Sequence, residues 1–189
     1  MDLFKDFYFN NQILIGKLPP RIFDELAFFV KQCRKYKDDE LGFLRNHLNA
    51  GKNSYQLSIP KPLIETSFSF PYIIKLGEYY LNQVGTPVDA FYRKVRLRCN
   101  DNHFDGYDFW VNFTYTGDEN PEHNHAGDLS SVIYFSNVDQ IPTLFEGGIS
   151  YAGKAGDIVL FPAKLLHRVE KHQHTAERIT LSFNLVHLK

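Results

Sequence analysis

The sequence predicts a mainly β fold with flanking α-helices, of the sandwich or barrel type known as a jelly roll. Six or seven short apolar or alternating runs, separated by turn residues, occupy residues 90–189. Runs with helical spacing occur only before residue 90. Aromatic residues make up 15% of the chain, which favours a β-rich core.

The chain is long enough to bury a sizeable core and has the length of one domain, at 189 residues. We therefore expect a single domain over residues 1–189. Within it, residues 1–89 are predicted to supply helical support and edge strands, and residues 90–189 to form the β core.

Two segments of the first half have apolar residues at helical spacing. Residues 21–36 follow Pro19 and Pro20, and proline suits a helix start because its missing N–H would be unpaired there. Residues 71–84 end at Gly85, a typical helix stop. Weaker patterns predict a strand at 13–15, a short helix at 39–48 and a strand at 54–59.

The second half alternates between strand patterns and turn residues. Strands are predicted at residues 92–99, 109–116, 130–136, 157–161, 166–171 and 178–186. Residues 100–108 and 137–147 are predicted loops, and we expect such loops to choose the substrate.

Composition excludes several classes of partner. The formal net charge is −1 and no basic patch is evident, so neither a nucleic acid nor a membrane surface is expected as a partner. No apolar run is long enough to span a bilayer, and the start of the chain does not have the pattern of a secretory signal. Cys33 and Cys99, without a CxxC motif, are predicted to be free thiols in a reducing compartment, which implies a cytoplasmic protein.

A pair of histidines suggests a metal site. His123 and His125 lie between the turn residues 117–121 and the strand predicted at 130–136. On a strand, residues i and i+2 point to the same face, so both imidazoles can be directed at one ion. A facial metal site needs a third ligand from a distant segment. His167 begins a predicted strand, and strand ends beside a barrel mouth are where ligands converge.

The other histidines are weaker candidates. His172 and His174 form a second i, i+2 pair, but they lie in a charged segment that is typical of a solvated turn. His47 lies on a predicted helix and His103 in a predicted loop.

The last predicted strand has one polar face and one apolar face. Its polar face begins with a single arginine and comprises Arg178, Thr180, Ser182 and Asn184. If this strand lines a barrel, the polar face points into a cavity. A cavity with one arginine and adjacent hydroxyls suits a carboxylate ligand, because the guanidinium group binds carboxylates with two parallel hydrogen bonds.

These motifs occur in an order that resembles the iron(II)/2-oxoglutarate-dependent oxygenases, in particular a prolyl-hydroxylase-like branch found in bacteria and phages. The shared phrases are Asn-Pro-x-His-x-His-x-Gly at residues 120–127, Gly-Asp-Ile-Val-Leu-Phe-Pro at 156–162, the lone His167 and Arg-Ile-x-Leu-Ser-Phe-Asn at 178–184. The similarity covers roughly residues 90–187.

The resemblance implies a double-stranded β-helix that binds iron(II) and uses 2-oxoglutarate and O2 as cosubstrates. By position, the catalytic metal ligands would be His123, His125 and His167. Arg178 and Thr180 would bind the distal carboxylate of 2-oxoglutarate, assisted by Tyr134. The implied reaction is hydroxylation of a protein side chain, prolyl in type, or of a small molecule, so a protein or peptide substrate is an expected partner.

The sequence departs from the family's motif at one ligand. The usual second ligand is Asp or Glu two residues after the first histidine, and here His125 occupies that position. Either the ligand set is all histidine, or Asp128 reaches the metal; we favour His125. A cupin-like metal-binding or structural protein without turnover, and a three-histidine cupin-type dioxygenase that does not use 2-oxoglutarate, are the alternative functions.

Overall fold

A computed structural model of the chain describes residues 3–35, 54–84, 109–136, 141–171, 173 and 175–185. Within these ranges the elements are β1 (Tyr8–Asn10), β2 (Ile13–Lys17), α1 (Pro20–Lys35), β3 (Tyr55–Ser58), α2 (Lys61–Glu65), α3 (Ser69–Gln83), β4 (Phe109–Thr114), β5 (Asn120–His123), β6 (Leu129–Tyr134), β7 (Thr143–Phe145), β8 (Ile149–Tyr151), β9 (Asp157–Pro162), β10 (His167–Val169) and β11 (Arg178–Leu185). The mainly β fold with flanking helices predicted from the sequence is confirmed.

The described strands form two antiparallel sheets. The major sheet has seven strands in the order β1-β2-β9-β6-β11-β4-β3, and the minor sheet has four in the order β5-β10-β7-β8. Apart from the adjacent pair β1–β2, neighbours in the major sheet are not consecutive along the chain except β3 and β4, which are separated by two helices. β11 is an interior strand, paired with β6 on one side and β4 on the other.

The two faces of the major sheet bury different cores. The larger core lies between this sheet and the helices, and it includes Leu26 and Phe29 of α1, Ile73 of α3, and Leu181 and Phe183 of β11. The smaller core lies between the two sheets and comprises Ile13, Ile15, Val132, Tyr134, Phe145, Val159, Phe161 and Leu165. Successive side chains of each strand in the major sheet therefore point alternately toward the helices and toward the minor sheet.

The helices pack on one side of the major sheet, and a carboxylate on α1 binds the first residue of α3. The Glu25 carboxylate of α1 accepts hydrogen bonds from the Ser69 N–H, at 2.8 Å, and the Ser69 hydroxyl, at 2.6 Å. A carboxylate at a helix N-terminus compensates the unpaired N–H groups and the helix dipole. This contact fixes α3 against α1.

Element boundaries differ from the predictions in ways that matter for the site. The predicted strand at 13–15 is the second strand of a hairpin, β1–β2, that joins the major sheet beside β9. The predicted loop at 137–147 contains β7, and two glycines at positive φ, Gly147 and Gly148, turn the chain into β8. The helix predicted at 39–48, the strand at 92–99 and the loop at 100–108 lie outside the described residues.

Within the described part of the chain, no helix combines the length and the apolar character needed to cross a membrane.

Candidate metal centre and the pocket beside it

Strand pairing brings two of the three candidate histidines together. His123 is the last residue of β5 and His167 the first residue of β10, and the two are direct partners in the antiparallel pair β5–β10. Their ring centroids lie 4.2 Å apart. Residues 44 positions apart in the chain therefore become neighbours through the register of the minor sheet.

His125 reaches the same place from a loop. β5 ends at His123, so the expectation that both histidines share one strand face is wrong. The chain beyond β5 is instead held by the His125 N–H, which donates to the Ala163 carbonyl at 2.8 Å. The His125 ring then lies 5.0 Å from that of His123 and 5.1 Å from that of His167, centroid to centroid.

The three side chains form a group that could hold a metal ion. One ring nitrogen from each of His123, His125 and His167 lies within 4.8 Å of the other two. Asp128 is not a member of this group. Its backbone N–H donates to the Leu185 carbonyl and its carbonyl accepts from the Ala163 N–H, which fixes the loop beyond His125 against β11. The geometry thus brings together the three histidines and leaves Asp128 outside.

Hydrogen bonds determine which nitrogens face the centre of the group. The Nδ1–H of His123 donates to the Pro121 carbonyl at 2.7 Å, and the Nδ1–H of His167 donates to the Leu165 carbonyl at 2.9 Å. A ring that donates from Nδ1 presents an unprotonated Nε2 when it is neutral, which is the form that binds metals. Both rings are therefore oriented as ligands by the backbone.

Burial keeps all three rings neutral. Burial first, and then the charges of His167 and His123, lower the pKa of His125 to about 3. Burial, followed by the charge of His123, lowers the pKa of His167 to about 4. Burial also lowers the pKa of His123, although its hydrogen bond to Pro121 opposes the shift. At neutral pH the group is a set of three uncharged nitrogen donors, with which iron(II) and zinc are both compatible.

A buried arginine lies at the other end of the same pocket. The side chain of Arg178 is 6% exposed, and its Nη2 donates to the Thr143 hydroxyl at 3.1 Å. The Thr143 oxygen is also 2.9 Å from the Tyr134 hydroxyl, and the Arg178 guanidinium lies 5.5 Å from the centre of the Tyr134 ring. Burial lowers the pKa of Arg178, and the neighbouring Tyr134 opposes that shift.

The charge of Arg178 has no negative partner in the part of the chain that the structure describes. No described carboxylate lies within ion-pair distance of its guanidinium group. A buried charge without a counter-ion is costly, and proteins normally pair it. The acid that lines the pocket, Glu119, is exposed to solvent. An anionic ligand would supply the missing partner.

The pocket joins the two ends over a volume of about 680 Å³, including its mouth. Trp110 is the cross-strand partner of Ser182, and its ring lies 5.4 Å from that of His125, so the histidines stand at the level of Ser182. Arg178 lies four residues earlier on β11, about 13 Å along the strand at roughly 3.3 Å per residue. A ligand between the two ends lies over Thr180.

The structure places the other predicted site residues as follows. Thr180 lines the pocket, whereas Tyr134 lies behind Thr143 and is not part of the pocket wall. Asn184, expected on the polar face, does not line the pocket, and its side-chain carbonyl accepts a hydrogen bond from the Ser130 hydroxyl at 2.6 Å. His172, His174, His47 and His103 lie outside the described residues.

Several residues that line the pocket were not singled out from the sequence. Thr143 lies in the segment predicted as a loop, and Gln56 belongs to β3, in the half of the chain that was expected only to support the fold. Asn112 and Trp110 lie on the face of β4 opposite its phenylalanines. The alternation in residues 109–116 was a usable signal for these two residues, because a polar face opposite a phenylalanine face faces a cavity or solvent.

The model of the family described as “Putative 2OG-Fe(II) oxygenase” matches residues 142–184, which include Thr143, His167, Arg178 and Thr180. The chain resembles the 2OG-Fe(II) oxygenases. The resemblance to these oxygenases predicted from the sequence is confirmed, whereas the narrower bacterial and phage branch stays a prediction. The cofactor and cosubstrates that this family implies are iron(II), 2-oxoglutarate and O2. No curated protein matches the sequence.

Solved structures share the fold. A prolyl-4-hydroxylase from Pseudomonas putida is similar with a TM-score of 0.56 and 14% identity, over 95% of each chain. The auxin dioxygenase AtDAO1 from Arabidopsis thaliana has a TM-score of 0.55 and 11% identity, over 91% of this chain and 83% of that one. The alpha-ketoglutarate-dependent epimerase SnoN of nogalamycin biosynthesis has a TM-score of 0.55 and 13% identity, over 90% and 78%. At these identities the likeness establishes the double-stranded β-helix fold.

The residues present fit the cofactor and cosubstrate of such an oxygenase. The three histidines offer uncharged nitrogens in one place, and the unpaired charge of Arg178 lies across the same pocket from them. Iron(II) is compatible with imidazole ligands, and a dicarboxylate is a suitable partner for a buried guanidinium.

Proposed function

We propose that this protein is an iron(II)- and 2-oxoglutarate-dependent dioxygenase that hydroxylates a protein side chain, prolyl in type, or a small molecule. One observation carries the proposal: a group of three neutral histidines and a buried arginine, which has no acidic partner among the described residues, face each other across one pocket. A ligand that can reach both must combine metal-binding atoms with a distant carboxylate, and 2-oxoglutarate has both.

In this proposal each end of the pocket has a separate task. His123, His125 and His167 hold the metal, and hydrogen bonds from the His123 and His167 rings to backbone carbonyls fix which of their nitrogens face it. Arg178 and Thr180 bind the distal carboxylate. Bound iron(II), with 2-oxoglutarate and O2, supplies the oxidising power for hydroxylation, and succinate and carbon dioxide are the co-products.

The surroundings of the histidines support a role in which water is excluded. The His167 ring packs at 4.8 Å from the Phe161 ring and at 6.0 Å from the Phe145 ring, centroid to centroid. The His125 ring packs against Trp110. An apolar wall strengthens electrostatic interactions inside the pocket and limits side reactions with water.

The type of substrate is part of the proposal. One similar structure is a prolyl-4-hydroxylase and another is an epimerase, so fold likeness alone leaves the reaction on the primary substrate open. The prolyl-type phrases of the sequence favour hydroxylation of a protein side chain.

A second candidate function is a cupin-like metal-binding or structural protein without turnover of 2-oxoglutarate. The all-histidine ligand set favours it, because the expected carboxylate ligand is absent from the group. The unpaired Arg178 argues against it, since a protein that only binds a metal has no need of a buried guanidinium group.

Measuring succinate production separates the two functions. The protein is incubated with iron(II), 2-oxoglutarate and O2, with proline-containing peptides or small molecules as trial substrates. We expect the wild type to form succinate, Arg178→Ala to lose most of this activity, and the exposed-arginine control Arg21→Ala to retain it. Metal binding without any binding of 2-oxoglutarate would contradict the oxygenase proposal and support the second candidate.

A further inference from the structure

A chain of amide hydrogen bonds crosses the floor of the pocket. The Gln56 Nε2 group on β3 donates to the Asn112 Oδ1 on β4 at 2.7 Å. The Asn112 Nδ2 group in turn donates to the Thr180 hydroxyl at 3.1 Å and to the Ser182 hydroxyl at 3.2 Å, both on β11. These hydrogen bonds thus connect β3 at the edge of the major sheet to β11 in its interior, and all four side chains line the pocket.

Donor and acceptor accounting shows what this chain does to the two hydroxyls. A primary amide has two N–H donors on its nitrogen, and Asn112 directs both of them at hydroxyl oxygens. Each hydroxyl therefore accepts from Asn112 and keeps its own hydrogen available. Among the residues that the structure describes, neither Thr180 nor Ser182 has an acceptor for that hydrogen.

Gln56 couples the direction of these hydrogen bonds to the orientation of its own amide. Its N–H occupies the Asn112 carbonyl oxygen, so the Asn112 amide can turn round and keep this hydrogen bond only if the Gln56 amide turns with it. With the amide turned round, Asn112 would offer an acceptor to the hydroxyls, and their hydrogens would point away from the pocket. The order of the chain, from Gln56 to Asn112 to the hydroxyls, therefore makes the floor a row of donors.

The row lies between the two ends of the pocket. Ser182 is at the level of Trp110 and His125, Arg178 is at the far end, and Thr180 lies between them. Thr180 is 2% exposed and Ser182 6% exposed, so both hydroxyls act in a largely water-free environment. A donor in such an environment discriminates strongly between a ligand atom that can accept and one that cannot.

We propose that Asn112, held by Gln56, is a positioning residue that turns the Thr180 and Ser182 hydroxyls into the pocket as donors, and so restricts the pocket to ligands that present anionic oxygens along its floor. The proposal rests on the proposed function, in which 2-oxoglutarate is that ligand. It assigns a role in selecting the cosubstrate to Gln56 and Asn112, which lie outside the residues matched by the family model.

The test compares two ligands that differ only at the distal end. Calorimetry on the metal-loaded protein gives the Kd of 2-oxoglutarate and of its 5-amide, 2-oxoglutaramate, whose N–H groups suit an acceptor rather than a donor. In the wild type we expect a large preference for 2-oxoglutarate. Asn112→Asp keeps the shape but offers only acceptors, so we expect this preference to fall by about tenfold or more, the range for a hydrogen bond to a charged group.

Asn184→Asp is the matched control, because it makes the same change on β11 at a side chain that bonds to Ser130 and does not line the pocket. It should leave the preference unchanged. A neutral variant, Asn112→Leu, separates the effect of the aspartate's charge from that of its hydrogen bonds. For this variant we expect the preference for 2-oxoglutarate to fall by about threefold, because both hydroxyls remain but are no longer held in one direction.

A double-mutant cycle isolates the action through the hydroxyls. In a Thr180→Val, Ser182→Ala background, Asn112→Leu should have no further effect on the preference, because there is no hydroxyl left to orient. An unchanged preference in both Asn112 variants, or an equal effect of Asn112→Leu in both backgrounds, would overturn the inference alone. Failure of the wild type to bind 2-oxoglutarate would overturn the proposed function and the inference together.

Discussion

The two ends of the pocket are built in opposite ways. At one end, His123, His125 and His167 come from the minor sheet and an adjoining loop, and burial makes them neutral. At the other end, Arg178 lies on β11, an interior strand of the major sheet. It is charged and buried, and no acid pairs with it among the described residues. One end offers lone pairs without charge, and the other offers charge without lone pairs.

This difference indicates what each end can bind. Neutral nitrogens attract a cation that accepts electron pairs, whereas a buried guanidinium group attracts an anion that accepts hydrogen bonds. Two separate ligands could satisfy the two ends, but a single pocket joins them. The arrangement is therefore suited to a metal and an anion that touch each other.

The largest expected effect follows from removal of a histidine. His167→Ala removes one member of the group, and the ring that it removes lies 4.2 Å from that of His123. We expect the Kd for iron(II), titrated without oxygen, to rise by about 100-fold or more, since even the outer partners of metal ligands contribute roughly 10–100-fold. Metal binding at wild-type affinity would show that the three histidines are not the metal site.

Removal of the Arg178 side chain should weaken the binding of 2-oxoglutarate and leave the metal affinity unchanged. For Arg178→Ala we expect the Kd of 2-oxoglutarate to rise by roughly 10–100-fold, the range for hydrogen bonds to a charged group, with unchanged metal affinity. Arg21→Ala, at an exposed arginine that lies over the Phe68 ring, is the control. Equal losses in the two variants would mean that Arg178 has no specific role.

The ligand-free Arg178→Ala protein offers an independent check. Because the guanidinium group is buried without a counter-ion among the described residues, its removal should not lower the midpoint of thermal unfolding measured without 2-oxoglutarate. A large drop in that midpoint would indicate that Arg178 is a structural residue.

Metal binding by the three histidines should weaken only at low pH. The folded-state pKa values of His125 and His167, about 3 and about 4, lie below the ordinary value of 6.5, and that of His123 is also lowered. Protons therefore compete with the metal at His125 and His167 only well below the ordinary histidine pKa, and at His123 below that value. We expect the metal affinity at pH 6.5 to remain close to its value at pH 8, and to be lost as the pH falls toward 4.

The same shifts predict the stability of the metal-free protein. Since these histidines bind protons more readily when unfolded, their neutral burial favours the folded state fully above pH 6.5, and this contribution is lost as the pH falls toward the folded-state values. Urea unfolding of the metal-free protein at pH 8 and pH 5 measures this loss of stability.

For the metal-binding experiment, a metal affinity that is already halved at pH 6.5 would contradict the neutral state of the three histidines.

The smallest expected effect is at the tyrosine behind the arginine. Tyr134→Phe removes the hydroxyl that contacts the Thr143 oxygen but keeps the ring beside Arg178. One neutral hydrogen bond contributes about 0.5–1.5 kcal/mol, so we expect the Kd of 2-oxoglutarate to rise by roughly two- to tenfold. A loss as large as that of Arg178→Ala would place Tyr134 in contact with the ligand itself.

The sequence was sufficient to predict those parts of the site that depend on local pattern. The alternation of residues 178–186 places Arg178 and Thr180 on one face, and that face lines the pocket in the structure. His167 was identified because it begins a strand, and it does begin β10. A period of two and the position of strand ends are local properties, so one sequence reveals them.

Other parts of the site depend on pairing between distant segments. The loop that carries His125 is fixed by a hydrogen bond to Ala163, and the His123–His167 contact depends on the register of β5 and β10. Gln56 meets Asn112 only because β3 joins the edge of the sheet beside β4. Nothing in a local pattern specifies which strands pair, so the amide chain across the pocket floor could not be predicted.

Short strands were the elements most difficult to predict. β5 contains a proline and exposed side chains, and β7 has three residues within a segment expected to be a loop. Each is held by its neighbours in the minor sheet rather than by an apolar alternation of its own. Thr143, the partner of Arg178, was missed for this reason.

The most direct test of the account is whether metal and 2-oxoglutarate bind as one unit. The Kd of 2-oxoglutarate is measured by calorimetry without oxygen, with and without iron(II), in the wild type and in His167→Ala. If both ends serve one ligand, iron(II) should tighten 2-oxoglutarate binding by about tenfold or more in the wild type, and this coupling should disappear in His167→Ala. The same Kd with and without iron(II) in the wild type would contradict the account, because the two ends would then bind independently.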